Sequence, residues 1–100
     1  MKIGTTPTHK FTIPYDESLV DKVRITYSQG EKRLIKKENA DITFDGNGIV
    51  VKLSQEETLS FNHQRNVEIQ LKILLQSGEV VVSDIIQESA ERCLDSEVLK

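Results

Sequence analysis

Val67-Glu68-Ile69-Gln70-Leu71-Lys72-Ile73-Leu74-Leu75 decides the fold class. Every odd position in this run is aliphatic, and every even position except Leu74 is polar or charged. Side chains of a β-strand alternate between faces with a period of two, so the run puts its aliphatic groups on one face. A helix would scatter them around its circumference. The same alternation recurs at Leu19/Val23/Ile25/Tyr27 and at Ile49/Val51/Leu53. The sequence therefore predicts a sheet protein with one buried and one wet face. Its expected core is Val23, Ile25, Ile49, Val51, Ile69, Leu71 and Ile73.

Outward from this run, strand and turn signals alternate. His9, Phe11 and Ile13 alternate with Lys10 and Thr12, and Pro14 ends that strand because proline cannot donate to a ladder. A second strand from about Val20 to Ser28 faces Lys22, Arg24 and Thr26 outward, and Gln29-Gly30-Glu31 reads as a hairpin loop. The third strand, about Lys32 to Lys37, is lysine-rich, as strands at sheet edges often are. Ile42 and Phe44 mark a fourth, Asp45-Gly46-Asn47-Gly48 is the strongest turn signal, and Ile49, Val51 and Leu53 mark a fifth. Ser54 with Glu57 three residues later matches a capping box, predicting one helical turn near residues 54–58 as a crossover, pinned by Leu59 and Phe61. After Val67–Leu75, Gln76-Ser77-Gly78-Glu79 turns the chain back onto Val80-Val81-Val82. The segment Val80–Ile86 carries little charge, which makes it the expected contact edge.

Two ends are read differently. Residues 1–7 read as a flexible leader, and residues 8–100 as a single β-sandwich domain. Residues 84–94 admit two readings. Ile85, Ile86, Ser89, Ala90, Cys93 and Leu94 fall on one helical face with Ser83 as N-cap, whereas a seven-strand sandwich needs its last strand there.

Composition narrows the function classes. A chain of 100 residues forms one domain and buries roughly 60–65% of its unfolded surface. Sixteen acidic against thirteen basic residues give a net charge of −3, unlike a nucleic-acid binder. The local basic cluster of Lys22, Arg24, Lys32, Arg33, Lys36 and Lys37 reads as a solvated strand face and hairpin. Cys93 is the only cysteine, which fits a reducing compartment. The sequence shows no signal-peptide core and nothing near the roughly 20 apolar residues of a membrane span. The reading is of a soluble protein made in the cytoplasm.

Reactive residues are sparse. His9, His63 and Cys93 occur singly, without the paired spacing of zinc sites. Asp41, Asp45 and Asn47 beside Gly46 fit a β-turn and lack the terminal glutamate of a calcium loop. No nucleophile elbow and no glycine-rich phosphate loop occurs. The expectation is a protein that is not an enzyme, with no catalytic, cofactor-binding or metal residues, no cofactor and no small-molecule substrate.

Pro7-Thr8-His9-Lys10-Phe11, Val23–Gln29, Val51–Phe61, Val67–Lys72 and Val82-Ser83-Asp84-Ile85-Ile86 together carry a resemblance over about residues 7–99. The chain resembles small proteins encoded by phages and prophages of Gram-positive gut bacteria, found among tail and neck structural genes. In layout it is also similar to the immunoglobulin-like sandwich that opens some phage baseplate proteins. The resemblance rests on framework motifs and carries no site residues across. It implies an all-β, immunoglobulin-like antiparallel β-sandwich of about seven strands. It further implies a non-enzymatic virion structural component of the tail, baseplate or neck, assembling with itself and with other virion proteins. Relatives of this layout have a strand near Ala90, often with a β-branched residue there, so the resemblance leans toward strand at the C-terminus. A carbohydrate- or surface-binding module and a small prophage-encoded regulator are the alternatives.

Overall fold

The structure, a computed structural model, describes residues 1–30, 32–95 and 97–99, with residues 32–34 given through their backbone. Its strands are β1 (Thr8–Thr12), β2 (Val20–Gln29), β3 (Lys32–Lys37), β4 (Ile42–Asp45), β5 (Gly48–Lys52), β6 (Val67–Leu75), β7 (Val80–Val82) and β8 (Ile86–Glu88). One helical turn, α1 (Gln55–Leu59), links β5 to β6. Glu31 of the expected hairpin loop, and the side chains of Lys32, Arg33 and Leu34, lie outside the described residues.

Two antiparallel sheets form the body. The smaller has the order β1-β5-β4; the larger has the order β3-β2-β6-β7, with β8 also paired to β6. This is the immunoglobulin-like arrangement. β1, β5 and β4 stand in the places of strands B, E and D, and β3, β2, β6 and β7–β8 in those of C′, C, F and G. β7 and β8 are two halves of one edge strand, so seven strand places are filled. Among the described residues, nothing pairs with the free side of β1, where strand A would stand.

β6 is the spine of the larger sheet, and its inward row does what the alternation predicts. Val67, Ile69, Leu71 and Ile73 are buried, as are Val23, Ile25 and Tyr27 from β2 and Ile49, Val51 and Leu53 from β5 and its end. All seven expected core residues lie in the interior. Two-residue turns suit this architecture. Gly46 takes φ +64° between β4 and β5, as the first central position of a hairpin turn requires.

The capping box is present. Ser54 Oγ accepts from Glu57 N (3.2 Å), and Glu57 Oε1 accepts from Ser54 N (2.8 Å). Phe61 is buried and Leu59 packs against the core, pinning the crossover as expected. The lysine-rich β3 is an edge strand, also as expected. Lys37 Nζ lies 2.8 Å from Glu57 Oε2, tying that edge to the crossover.

One expectation is corrected. Leu19 is 53% exposed, while Val20 is buried. Between Val20 and Lys22 the β2–β6 register gains a residue, and this bulge hands the inward place from Leu19 to Val20. Residues 1–7, read from the sequence as a flexible leader, pack onto the body. Ile3 is buried, and its N–H bonds to Glu91 O at 2.9 Å. The fully buried Thr58 Oγ1 accepts from Gly4 N (3.0 Å) and donates to Thr5 O (2.8 Å). Of the two readings of residues 84–94, the strand is the one found: they contain the short strand β8 and no helix, Ile85 and Leu94 of the would-be helical face are 55% and 89% exposed, and Ala90 is buried.

Candidate functional site

The edge formed by β7 and β8 is the most distinctive surface of the fold. The pairs Lys72↔Val82 and Ile69↔Ile86 leave two residues between them on β6 but three on the edge, so one extra residue bulges at Ser83–Ile85. The bulge is sealed by side chains. Ser83 Oγ accepts from Leu71 N (3.0 Å) and donates to Asp84 O (2.9 Å), while Gln70 Nε2 donates to Ser83 O (2.9 Å). Gln70, read from sequence as part of a polar outer stripe, therefore also holds the edge in shape.

This edge exposes apolar groups and little protection. Val80, Val82, Ile85 and Ile86 are 52%, 51%, 55% and 40% exposed. No lysine or proline interrupts residues 80–88, although both are common guards of free edges. The segment Val80–Ile86, expected from sequence as the contact edge, is where the structure gathers these side chains. Val81 is half-buried and faces inward, so substitutions that probe the edge belong at Val82.

Beside the edge, the two sheets part into an apolar cleft of about 390 Å³. Phe11, Ile13 and Tyr15 line one lip, and Leu71, Ile73, Val81 and Ile86 the other. The vacant strand place beside β1 is what leaves this end of the sandwich uncovered.

A second hollow, of about 410 Å³, lies on the outer face of the larger sheet. Lys22, Arg24 and Lys72 surround it, with Leu74 and Val80 at its floor. Arg24 and Lys72 are direct cross-strand partners, a repulsive placement relieved by Glu38, whose Oε1 accepts from Arg24 Nε at 3.0 Å. The basic cluster of the sequence is thus partly this face, where Lys22, Arg24 and Lys72 are exposed to solvent.

The reactive residues serve local packing. His9 Nδ1 lies 2.8 Å from Tyr27 OH, and the two rings stack with centroids 5.7 Å apart. Burial pushes the His9 imidazole below its ordinary value, partly offset by Glu88. Burial also pushes the Tyr27 phenol far up, with Glu57 adding to the effect. His63 is exposed in the loop after α1, and Cys93 Sγ donates to Asp95 O at 3.3 Å. Gln29 is a residue that sequence reasoning missed. It is buried, its Nε2 donates to Asn62 O (2.7 Å) and Arg65 O (3.0 Å), and its Oε1 accepts from Asn62 N (2.7 Å), so one side chain anchors the 62–66 loop.

Among the described residues, no helix is long and apolar enough to cross a membrane. The fold and its bare edge define a class, an immunoglobulin-like β-sandwich with an uncovered strand edge. No protein-family model, curated protein or solved structure matches the chain.

Proposed function

We propose that this protein is a non-enzymatic structural component that works by protein–protein assembly, in the virion of a phage or prophage. The observation that carries the assembly reading is the β7–β8 edge, where Val80, Val82, Ile85 and Ile86 are exposed on a free strand. Free edges offer unpaired backbone groups and recruit other strands, with side chains on both faces adding selectivity. The tail, baseplate or neck of the particle is the place suggested by the resemblance of the framework motifs. The carbohydrate-binding alternative has less support, because Tyr27 and Phe61 are buried and Phe11, Tyr15 and Phe44 pack against the core.

Mass spectrometry of purified induced particles tests this reading. The chain is expected in particles at a fixed ratio to other virion proteins, and Val82→Lys is expected to reduce its incorporation while leaving the fold intact. Particles that lack the chain, or that take up Val82→Lys as readily as the parent, contradict the proposal.

A further inference from the structure

Among the described residues, the β7–β8 edge is one of two free edges at this end of the sandwich; the other is β1. β1 bonds to β5 on one side only. The bonds from Leu53 N to Pro7 O and from Ile13 N to Asn47 O fix the ladder's alternation, so Thr8, Lys10 and Thr12 turn their backbone groups to the open side. On the other edge, Ser83 N bonds to Leu71 O and Leu75 N to Glu79 O, so Val80 and Val82 turn theirs outward. Beyond the bulge the same alternation leaves Gln87 outward.

The two edges lie at matching heights and run in opposite directions. His9 stacks on Tyr27, which is paired with Ile69 and so stands level with Ile86. Ile13 shares the cleft with Ile73 and Val81, which are themselves a cross-strand pair. β1 thus climbs from the level of Ile86 to that of Val81.

We propose that the partner of this end is a second copy of the chain, related by a two-fold axis parallel to the strands. Such an axis preserves heights and strand directions. It places β1 of each copy antiparallel beside β7–β8 of the other, twice per dimer, and covers both clefts. The register follows: Thr12 opposite Val82, Lys10 opposite Asp84, and Thr8 opposite Gln87, with the bulge absorbing the extra residue. Thr8, Lys10 and Thr12 on one strand and Val82 and Gln87 on the other turn free backbone groups to the edge, while the Asp84 carbonyl already accepts from Ser83 Oγ. The rims are also complementary in charge. Lys10 stands on one, and Glu79 and Asp84 on the other; Glu88 is already paired with the chain's own N-terminal amine, 2.9 Å from its Oε1. Lys10 Nζ is 3.1 Å from Asp45 within its own chain, an exposed pair that competes weakly. This inference rests on the assembly reading of the β7–β8 edge and names its partner.

Cysteine pairing in a Cys93→Ser background tests the register. Directly paired antiparallel residues have Cα atoms about 5.5 Å apart, within the range a disulfide spans. The variant carrying both Thr12→Cys and Val82→Cys is expected to form a covalent dimer on mild oxidation at micromolar concentration, and neither single variant is. In sedimentation, Lys10→Glu or Asp84→Lys alone is expected to weaken the dimer roughly three- to tenfold, since two symmetric pairs are lost, and the double exchange to restore it. A parent protein that sediments as a monomer, a double-cysteine variant that links no faster than the single ones, or a charge exchange that fails to restore association overturns the dimer. Particles that take up the monomer in a Val82-dependent way overturn only the dimer. A dimer whose chain never enters particles overturns only the virion assignment.

Discussion

His9 on β1 and Tyr27 on β2 join the two sheets by one hydrogen bond, 2.8 Å from Nδ1 to the phenol oxygen, beneath rings stacked at 5.7 Å. Burial disfavours the charged form of each ring, pushing the imidazole down and the phenol up. The pair is held neutral, and that links its packing to pH.

The sign follows from the unfolded chain. As pH falls below the ordinary histidine value of 6.5, the unfolded chain takes up a proton that folded His9 resists, so stability declines on acidification. As pH rises above the ordinary tyrosine value of 10.0, the unfolded chain releases a proton that folded Tyr27 retains, so stability declines there too. Urea denaturation midpoints are expected to be flat between these limits and to fall outside them. His9→Phe is expected to lower the baseline and to flatten the slope just below pH 6.5; an unchanged slope would show that another group titrates.

Lys37 and Glu57 form the second pH-linked contact, with side chains 13% and 26% exposed. Burial raises the Glu57 carboxyl, but bonds from Lys37 and Ser54 outweigh it and hold the group below its ordinary 4.5. The stability this contributes is present above that value and is lost as pH falls through the folded one. Lys37→Met is expected to cost on the order of 1 kcal/mol at pH 7, between the values for exposed and buried pairs. The loss should vanish in strong acid, as chemical denaturation at pH 7 and pH 2 would show.

β6 separates inward from outward roles in adjacent residues. Leu71→Ala should cost about 2–5 kcal/mol, because the buried side chain leaves a cavity. Gln70→Ala should cost about 0.5–1.5 kcal/mol, as it removes one hydrogen bond to the bulge. Lys72→Ala should cost less than about 0.5 kcal/mol. Equal losses at all three positions in denaturant titrations would contradict this register.

Thr58 anchors the N-terminal segment. Thr58→Val keeps the volume but leaves Gly4 N–H and Thr5 C=O without their partner, at a cost of about 1–3 kcal/mol. Limited proteolysis should then cut within residues 1–7 much faster than in the parent, while the core resists. Equal cutting rates would mean that the segment is held by other contacts.

The parts of the fold legible in the sequence are those decided locally. Alternation in β6 needs only nine consecutive residues, the capping box only Ser54 and Glu57, and the β4–β5 turn only Gly46 and its neighbours. Bulges defeat such reading, because an inserted residue changes the period without leaving a local mark. The one after Val20 moved the inward position off Leu19. The one at Ser83–Ile85 breaks the alternation of the last strand and sets Ile85 and Ile86 side by side, both exposed. The docking of Ile3 and the burial of Gln29 depend on Thr58, Glu91, Asn62 and Arg65, partners distant in sequence that no local pattern names. The weak charge of Val80–Ile86 is legible in the sequence, but the open side of its β1 neighbour is not, since a vacant strand place exists only once the sheets are assembled.

Amide hydrogen exchange tests the use of the β7–β8 edge most directly. The backbone groups of Val80 and Val82 face away from β6, so in dilute isolated protein they should exchange rapidly. In assembled particles, slow exchange is expected over residues 80–87, with no change along the opposite edge strand β3. Equal exchange of residues 80–87 in the two states would contradict the claim that this edge is the assembly surface.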